Sequence, residues 1–201
     1  MISDPLTSAT PTLADRWIES RLSATITEVT RLCNAYQYGE AGRQAYEFLW
    51  GDFADWYLEI AKLQLERGGA RARLTAYGLV RVLDQTLRLL HPFIPFITEE
   101  LWGHLKTTAQ RFVPEAAPVG GWEAALIVAA WPEPRLVEAW ESSKINEFNL
   151  VQEIVRAIRN LRAEKNVKPG RRIPAILAGG EQSGMLRDQA ASIANLAQLD
   201  P

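Results

Sequence analysis

Two pairs of side chains have a spacing that could support metal binding or acid–base chemistry. Glu100 and His104 stand four residues apart, so on a helix they would share one face and could bind the same metal ion. A metal site needs at least a third ligand, and His91 is the only other histidine in the chain. Glu99 and Glu100 are adjacent, so their carboxylates diverge around a helix and cannot flank one substrate bond. We therefore interpret both histidines as structural or solvated and predict no metal or catalytic site.

Other signatures of enzyme sites are missing from the sequence as well. Cys33 is the only cysteine, which excludes an internal disulfide and a multi-cysteine zinc site, and its apolar helical surroundings predict a core position. The glycine pairs Gly68-Gly69 and Gly179-Gly180 lack the frame of a phosphate-binding loop. The composition, with 47% hydrophobic and 23% charged residues, is that of a soluble globular protein. With no signal peptide and no apolar stretch of the roughly 20 residues that span a membrane, we expect a cytoplasmic chain.

A cluster of basic residues is the strongest functional signal in the sequence. The whole chain has a formal net charge of −2. Between positions 156 and 172, however, there are seven basic residues and a single acid, Glu164, which gives a local charge of 7 − 1 = +6. These basic residues are Arg156, Arg159, Arg162, Lys165, Lys168, Arg171 and Arg172. Such a concentration of positive charge attracts a polyanion at range. The arginines could equally form ion pairs with the acidic remainder of the chain, and the sequence leaves both interpretations open.

The spacing of apolar residues predicts a helical scaffold for these side chains. Steps of three and four indicate helices over residues 12–36, from 45 to the Gly68-Gly69 pair, over 76–90, and over 96–106. Their connections are only a few residues long, which forces neighbouring helices to run antiparallel and predicts a mainly α, antiparallel bundle. Gly51 lies inside the second helix and costs about 0.5–1 kcal/mol relative to Ala, so tertiary packing must hold that turn.

The domain organisation follows from where the helical pattern starts and stops. We expect a linker or leader over residues 1–11, the bundle over 12–106, a crossover that packs on the bundle over 107–141, and a basic helix plus the start of a small α/β element over 142–201. Within the crossover, residues 125–130 suggest a short extended run. In the last region, residues 173–177 suggest a β-strand and residues 185–196 a final helix.

Several segments resemble the valyl-tRNA synthetase family. The matching sequences are LADRWI from residue 13, SRL from residue 20, EFLW from residue 47 and DWYLE from residue 55. Further along they are LLHPFIPFITEELW from residue 89, the Trp131-Pro132 pair, and IRNLRAE from residue 158. The resemblance covers about residues 12–178. The related leucyl and isoleucyl families share the bundle but usually carry Ala-Pro where this chain has His91-Pro92, so the equivalent module of those enzymes is the weaker alternative.

The resemblance implies a role in tRNA binding without catalysis. In that family the bundle follows a Rossmann catalytic domain and grips the anticodon arm. The family's His-x-Gly-His and Lys-Met-Ser-Lys-Ser signatures do not occur in this chain, nor does the Trp-Asn-Ala helix that normally precedes Leu13. We therefore expect a fragment whose partners are the tRNA for valine and the remainder of the parent synthetase in cis, with ATP bound only by the parent's catalytic domain. A helical protein-interaction scaffold is the rival hypothesis.

The candidate contacts to RNA combine one apolar and several basic side chains. Anticodon loops are recognised through unstacked bases that lie on apolar or aromatic side chains, with phosphates held by cations. The helical period directs Trp56 to the core, so Leu58 points elsewhere and either contacts a base or packs against a neighbouring helix. The candidate site residues are Arg16, Arg21, Leu58, Lys62, Arg156, Arg159, Arg162 and Lys165. The rings of Trp17, Trp50, Trp56 and Trp102 are predicted to fill the core.

Overall fold

The computed structural model describes residues 9–200, and the chain divides into two compact units between Glu138 and Ala139. Helices make up most of both units, which confirms the mainly α fold class. Most of the predicted leader, residues 1–8, lies outside the described residues. Among the residues that are described, no helix is long and apolar enough to cross a membrane.

The first unit is a bundle of helices joined by short turns, as the spacing of apolar residues predicts. In chain order its helical elements are α1 (Leu13–Asn34), α2 (Tyr38–Glu47), a π-helical segment (Phe48–Leu58), α3 (Glu59–Glu66), α4 (Gly69–Leu90) and α5 (Pro95–Phe112). The predicted capping box starts α1, because the Asp15 carboxylate accepts the backbone N–H of Thr12 at 2.8 Å and the Thr12 hydroxyl accepts that of Asp15 at 3.3 Å. Gly68, at φ +67°, separates α3 from α4 in a conformation that suits glycine.

The π-helical segment is the largest departure from the predicted bundle. A sequence period of 3.6 predicts an α-helix here, but Phe48, Phe53 and Tyr57 are all buried at steps of five and four residues, which the wider π turn brings to one face. The Phe53 and Tyr57 rings pack with centroids 6.2 Å apart. The same change of period turns Trp50 outward, with 53% of its surface exposed, so its predicted core position is wrong.

The other three tryptophans assigned to the core are buried, as predicted. Trp17 and Trp102 are each 1% exposed and Trp56 is 5% exposed. The indole N–H of Trp102 donates to the Asp84 carboxylate at 2.7 Å, which ties α5 to α4. Pro95 stands in the first turn of α5, where a missing N–H does no harm, and the helix continues to Phe112 rather than ending at the predicted Lys106.

The crossover after α5 contacts the bundle through backbone groups. Short 3-10 turns at Pro114–Ala116 and Leu126–Val128 interrupt it, so the extended run predicted for residues 125–130 does not form. The Glu99 carboxylate on α5 accepts the backbone N–H groups of Leu126 at 2.7 Å and Ile127 at 3.3 Å, and this contact holds the chain in the tighter turn. The Arg88 guanidinium donates to the carbonyl of Ala130 at 3.0 Å a few residues later.

The second unit consists of the long helix α6 (Glu141–Glu164) and the short helices α7 (Ser183–Asp188) and α8 (Ala190–Ala197). The strand predicted for residues 173–177 is wrong, because within the described part of the chain Ile173 forms only one isolated parallel bridge, with Leu199. Pro174 follows and has no N–H to extend a ladder. The predicted final helix is present but is divided at Gln189 into α7 and α8.

Candidate nucleic-acid interface

Helix α1 and the π-helical segment run antiparallel and are fixed together by side-chain hydrogen bonds. The Tyr57 hydroxyl donates to the Asp15 carboxylate at 3.0 Å, and two turns along α1 the Arg21 Nε donates to Asp52 at 2.9 Å. Burial, reinforced by the nearby Asp15 charge, raises the pKa of Tyr57 well above its ordinary value, so this hydroxyl remains a donor at neutral pH. These contacts place the basic residues of α1 beside the segment that ends at Leu58.

Leu58 lies at the edge of the hydrophobic core. It is half-buried, so it packs on the bundle and still presents part of its side chain to solvent. Lys62 and Leu65 lie four and seven residues further along and therefore on the same helical face; Lys62 is exposed and Leu65 is 39% exposed. This face combines an apolar edge with a cation, the pairing that an unstacked base and its phosphate require.

The candidate cations of α1 and α3 already have interaction partners within the protein. Arg21 pairs with Asp52 at 2.9 Å, and Lys62 pairs with Glu59 at 2.6 Å one turn away. Arg16 is half-buried on α1 and also has an interaction partner within the protein. The four site residues that the sequence predicts in this unit thus lie on α1 and on the helical run from Phe48 to Glu66, with the positive charge of Arg21 and Lys62 balanced locally. The first unit, to Glu138, carries 13 basic and 17 acidic residues, a net charge of 13 − 17 = −4.

Exposed aromatic rings lie on the same helical run, and sequence reasoning did not identify them. Tyr46 and Trp50 are 56% and 53% exposed, with ring centroids 6.2 Å apart. Tyr36 and Tyr38, at the turn between α1 and α2, form a second exposed pair with centroids 6.2 Å apart and rings at 89°. The position of Trp50 follows from the change of helical period that starts at Phe48, which no sequence motif marks. Exposed rings of this kind are the side chains on which RNA bases stack.

In the second unit, three arginines of the basic cluster converge on the C-terminal end of α8. The Arg159 guanidinium donates twice to the Leu196 carbonyl, at 3.1 and 2.9 Å, and Arg172 donates to the Leu199 carbonyl at 2.7 Å. Arg162 donates to the Gln198 carbonyl at 3.0 Å. The end of a helix exposes unpaired carbonyl oxygens and a partial negative charge, so these guanidinium groups stabilise it.

Arg162 is therefore not the surface residue that the helical spacing of the basic residues predicts. Its side chain is 8% exposed, and a second donor nitrogen reaches the carbonyl of Arg171 at 2.7 Å. The helical repeat of Arg159, Arg162 and Lys165 indicates one surface stripe, but the packing of α8 against α6 covers its middle member. Arg156, Arg159 and Lys165 lie on the exposed part of α6 and the turn that follows.

Side chains with potential catalytic or metal chemistry have structural roles or are solvated. His91 Nδ1 lies 2.8 Å from the Thr98 hydroxyl at the start of α5, and His104 pairs with Glu100 at 3.1 Å on the exposed side of that helix. Between residues 9 and 200, no group of three or more His, Cys, Asp or Glu side chains could hold a metal ion. Cys33 is half-buried rather than fully in the core, and burial raises the pKa of its thiol.

Comparison with known proteins relates the chain to tRNA ligases. Residues 15–177 match the model of the family described as the anticodon-binding domain of tRNA ligase. The chain is 40% identical over 167 residues to a valine–tRNA ligase of Bacillus licheniformis, covering 83% of this chain and 17% of that protein. It is 40% identical over 195 residues to a valine–tRNA ligase of Carboxydothermus hydrogenoformans, covering 94% of this chain and 20% of that protein.

A valine–tRNA ligase of Geobacillus stearothermophilus is similarly related, with 41% identity over 167 residues, 83% of this chain and 17% of that protein. The chain thus spans only 17–20% of the length of these relatives. The family match covers most of the helical bundle and all of α6, including the predicted contact residues on α1, at Leu58 and in the basic cluster. The chain belongs to the family of anticodon-binding domains of tRNA ligases.

Proposed function

We propose that this chain is the anticodon-arm binding module of a valine–tRNA ligase and that its first unit contacts the anticodon loop of the tRNA for valine. The observation that carries the proposal is the antiparallel pairing of α1, which carries Arg16 and Arg21, with the π-helical segment, which ends at the partly exposed Leu58 one turn before Lys62. The relatives named valine–tRNA ligase support the choice of valine among the tRNA ligases.

Each class of side chain on this face has a distinct task in the proposed complex. The apolar edge of Leu58 covers the face of an unstacked base, while the exposed rings of Tyr46 and Trp50 offer further stacking surfaces. The basic residues hold phosphates, which orient the RNA without reading its sequence. Because Arg21 and Lys62 are already paired with acids, phosphate binding exchanges one ionic partner for another and contributes little net affinity. Discrimination between tRNAs therefore depends mainly on the base contacts.

The chemistry of aminoacylation belongs, in this proposal, to the remainder of a cytoplasmic parent ligase. That remainder binds ATP and attaches valine to the tRNA, and the module described here supports the reaction by holding the tRNA in place. In this chain the carboxylates of Asp15, Asp84 and Glu99 are used in capping and packing.

A titration of the chain against labelled RNA hairpins tests the proposal. Fluorescence anisotropy is measured with the valine anticodon arm and with arms of the same stem but other anticodons, at several salt concentrations. We expect tighter binding of the valine arm at every salt concentration, because base contacts are less sensitive to salt than phosphate contacts. Equal affinity for all arms, or no binding at low ionic strength, would contradict the proposal.

A second candidate function, contact with protein, rests on the exposed apolar side of α5. Phe96 is 90% exposed, Ile97 60% and Leu101 49%, and Phe96 and Ile127 line the same open depression of about 320 Å³. We propose that the remainder of the parent ligase covers this side in cis. Hydroxyl-radical footprinting would show Phe96 oxidised in this chain and protected in the full-length ligase. Equal oxidation in both proteins would contradict the assignment.

A further inference from the structure

The loop between α6 and Ile173 presents three cations that nothing in the described chain neutralises. The side chains of Lys165, Lys168 and Arg171 are exposed, and none of them makes a hydrogen bond or an ion pair with any residue between 9 and 200. Glu164 is the only acid between positions 156 and 172. By contrast, cations of the first unit such as Arg21 and Lys62 are paired with carboxylates.

The loop is held by backbone hydrogen bonds and by one contact with the Gln198 side chain. Asn166 adopts a left-handed conformation at φ 52°, and the next N–H, of Val167, donates to the Arg162 carbonyl at 2.9 Å. The N–H of Arg171 donates to the Lys168 carbonyl at 3.2 Å, and that of Gly170 donates to the Gln198 side chain at 3.2 Å. A loop fixed in this way loses little conformational entropy when a ligand binds to its exposed cations.

A buried positive charge lies directly beneath the loop. The Arg162 guanidinium is almost fully enclosed, and its donors go to the carbonyls of Gln198 and Arg171 and to the Gln198 side-chain oxygen. These oxygens satisfy hydrogen bonds but carry no net charge, so they leave the positive charge of Arg162 uncancelled. Its field adds to that of the three exposed cations, because charges that are partly buried are screened less by salt.

We propose that the Lys165–Arg171 loop is a second RNA-binding site, which takes the phosphodiester backbone without reading base sequence. Three unpaired cations close together in sequence attract a polyanion, and the loop itself offers no exposed aromatic or large aliphatic side chain that would stack on a base or enter a lipid surface. The identity of the polyanion as tRNA rests on the proposed function, and the site lies outside the surface around Leu58. Its contribution is affinity, whereas the first unit provides discrimination.

Charge removal at the loop tests this site. The variant Lys165→Gln/Lys168→Gln/Arg171→Gln is compared with a control of equal charge change at other exposed positions, Arg31→Gln/Arg111→Gln/Arg187→Gln. Binding to whole tRNA is measured as a function of salt. We expect the loop variant to lower the slope of log K against log salt concentration by about 2–3, and the control to lower it by less than about 1. The loop variant should have the same unfolding temperature as the wild-type chain, measured by circular dichroism, since the three replaced side chains make no hydrogen bond or ion pair within the described residues.

The outcomes separate this site from the proposed function. Weaker binding of the loop variant to valine and non-valine tRNA by the same factor supports the site, even if the chain fails to prefer the valine arm. A slope equal to that of the control overturns the proposal. Tighter binding of the wild-type chain to vesicles of phosphatidylserine and phosphatidylcholine than to tRNA, or to an acidic peptide than to tRNA, would also overturn it.

Discussion

The Nε of Arg21 on α1 donates to the Asp52 carboxylate of the π-helical segment across 2.9 Å, so a residue predicted to bind phosphate is already held by an acid. The Arg21 side chain is still 45% exposed, and the pair lies at the surface of the bundle. An exposed ion pair of this kind contributes about 0–1 kcal/mol to stability, which leaves the arginine available to a competing anion.

Removal of the competing acid should therefore strengthen RNA binding. In Asp52→Asn, Arg21 is released to contact a phosphate, and we expect tighter binding with a slope of log K against log salt about 1 unit steeper. The double variant Arg21→Gln/Asp52→Asn is the control, because it also lacks the acid but in addition lacks the cation that the single variant releases. Anisotropy titrations of both variants decide the matter; the same gain in the double variant would mean that Arg21 does not contact RNA.

The hydrogen bond between Trp102 and Asp84 should be a principal link between α4 and α5. Trp102→Phe keeps an aromatic ring in the core but leaves the buried Asp84 carboxylate without its indole donor at 2.7 Å. Hydrogen bonds to charged groups contribute about 1.5–3 kcal/mol, so the free energy of unfolding should fall by at least that amount. Urea denaturation measures the loss, with Trp131→Phe as the exposed counterpart. A loss below about 0.5 kcal/mol would show that the bond does not contribute.

Arg162 should contribute to the stability of the second unit as well as to the positive field at the Lys165–Arg171 loop. Arg162→Met removes the donors that satisfy the carbonyls of Gln198 and Arg171, and a loss of about 1.5–3 kcal/mol is expected for the second unit. Arg162→Lys should not restore stability, because one ammonium cannot reproduce the fork of the guanidinium. Thermal unfolding of both variants is the measurement, and Arg156→Met on the exposed side of α6 is the control. Full stability of Arg162→Lys would contradict the account.

The pH dependence of the free energy of unfolding should reveal the ionisation of Glu19. This residue lines a cavity of about 240 Å³ between α1 and α4. Desolvation of the carboxyl in this cavity raises the pKa of Glu19 above its ordinary value of 4.5, even though the residue as a whole is exposed, and Arg135 and Arg81 oppose the shift. Folding then takes up a proton between the unfolded and folded pKa values, so the free energy of unfolding falls as pH rises through that window.

Glu19→Gln should accordingly be more stable than the wild-type chain at pH 7, and the difference should shrink as pH falls toward 4.5. Glu123→Gln, at another exposed position outside this cavity, is the matched control. Urea midpoints at a series of pH values measure the difference. A difference that stays constant with pH, or has the opposite sign, would show that burial does not govern this carboxyl.

Local sequence signals predicted the ends of several helices but not the π-helical segment in the middle of the bundle. The capping pair Thr12 and Asp15 starts α1, and α4 ends at Leu90, just before Pro92. The π-helical segment was missed because apolar residues at steps of four and five resemble an α-helical pattern over a short window, so Trp50 was assigned to the wrong face.

The sequence predicted the residues of the basic cluster but not the exposure of each side chain in the candidate site. Residue type and spacing are enough to identify the basic cluster, because charge is a property of sequence alone. The enclosure of Arg162 depends on where α8 packs, 36 residues away, and no local pattern specifies that contact. The partial exposure of Leu58 likewise depends on α1, which lies antiparallel to the segment that Leu58 ends.

The most direct test of the account is the effect of Leu58→Ala on discrimination between anticodon arms. Because Leu58 is proposed to cover a base, its truncation should weaken binding of the valine arm by about tenfold, or ~1.4 kcal/mol, and weaken binding of other arms much less. Leu101→Ala, at an exposed position on α5, should leave the ratio of affinities unchanged. An equal loss for valine and non-valine arms, or no loss for either, would contradict the central claim that Leu58 reads the anticodon loop.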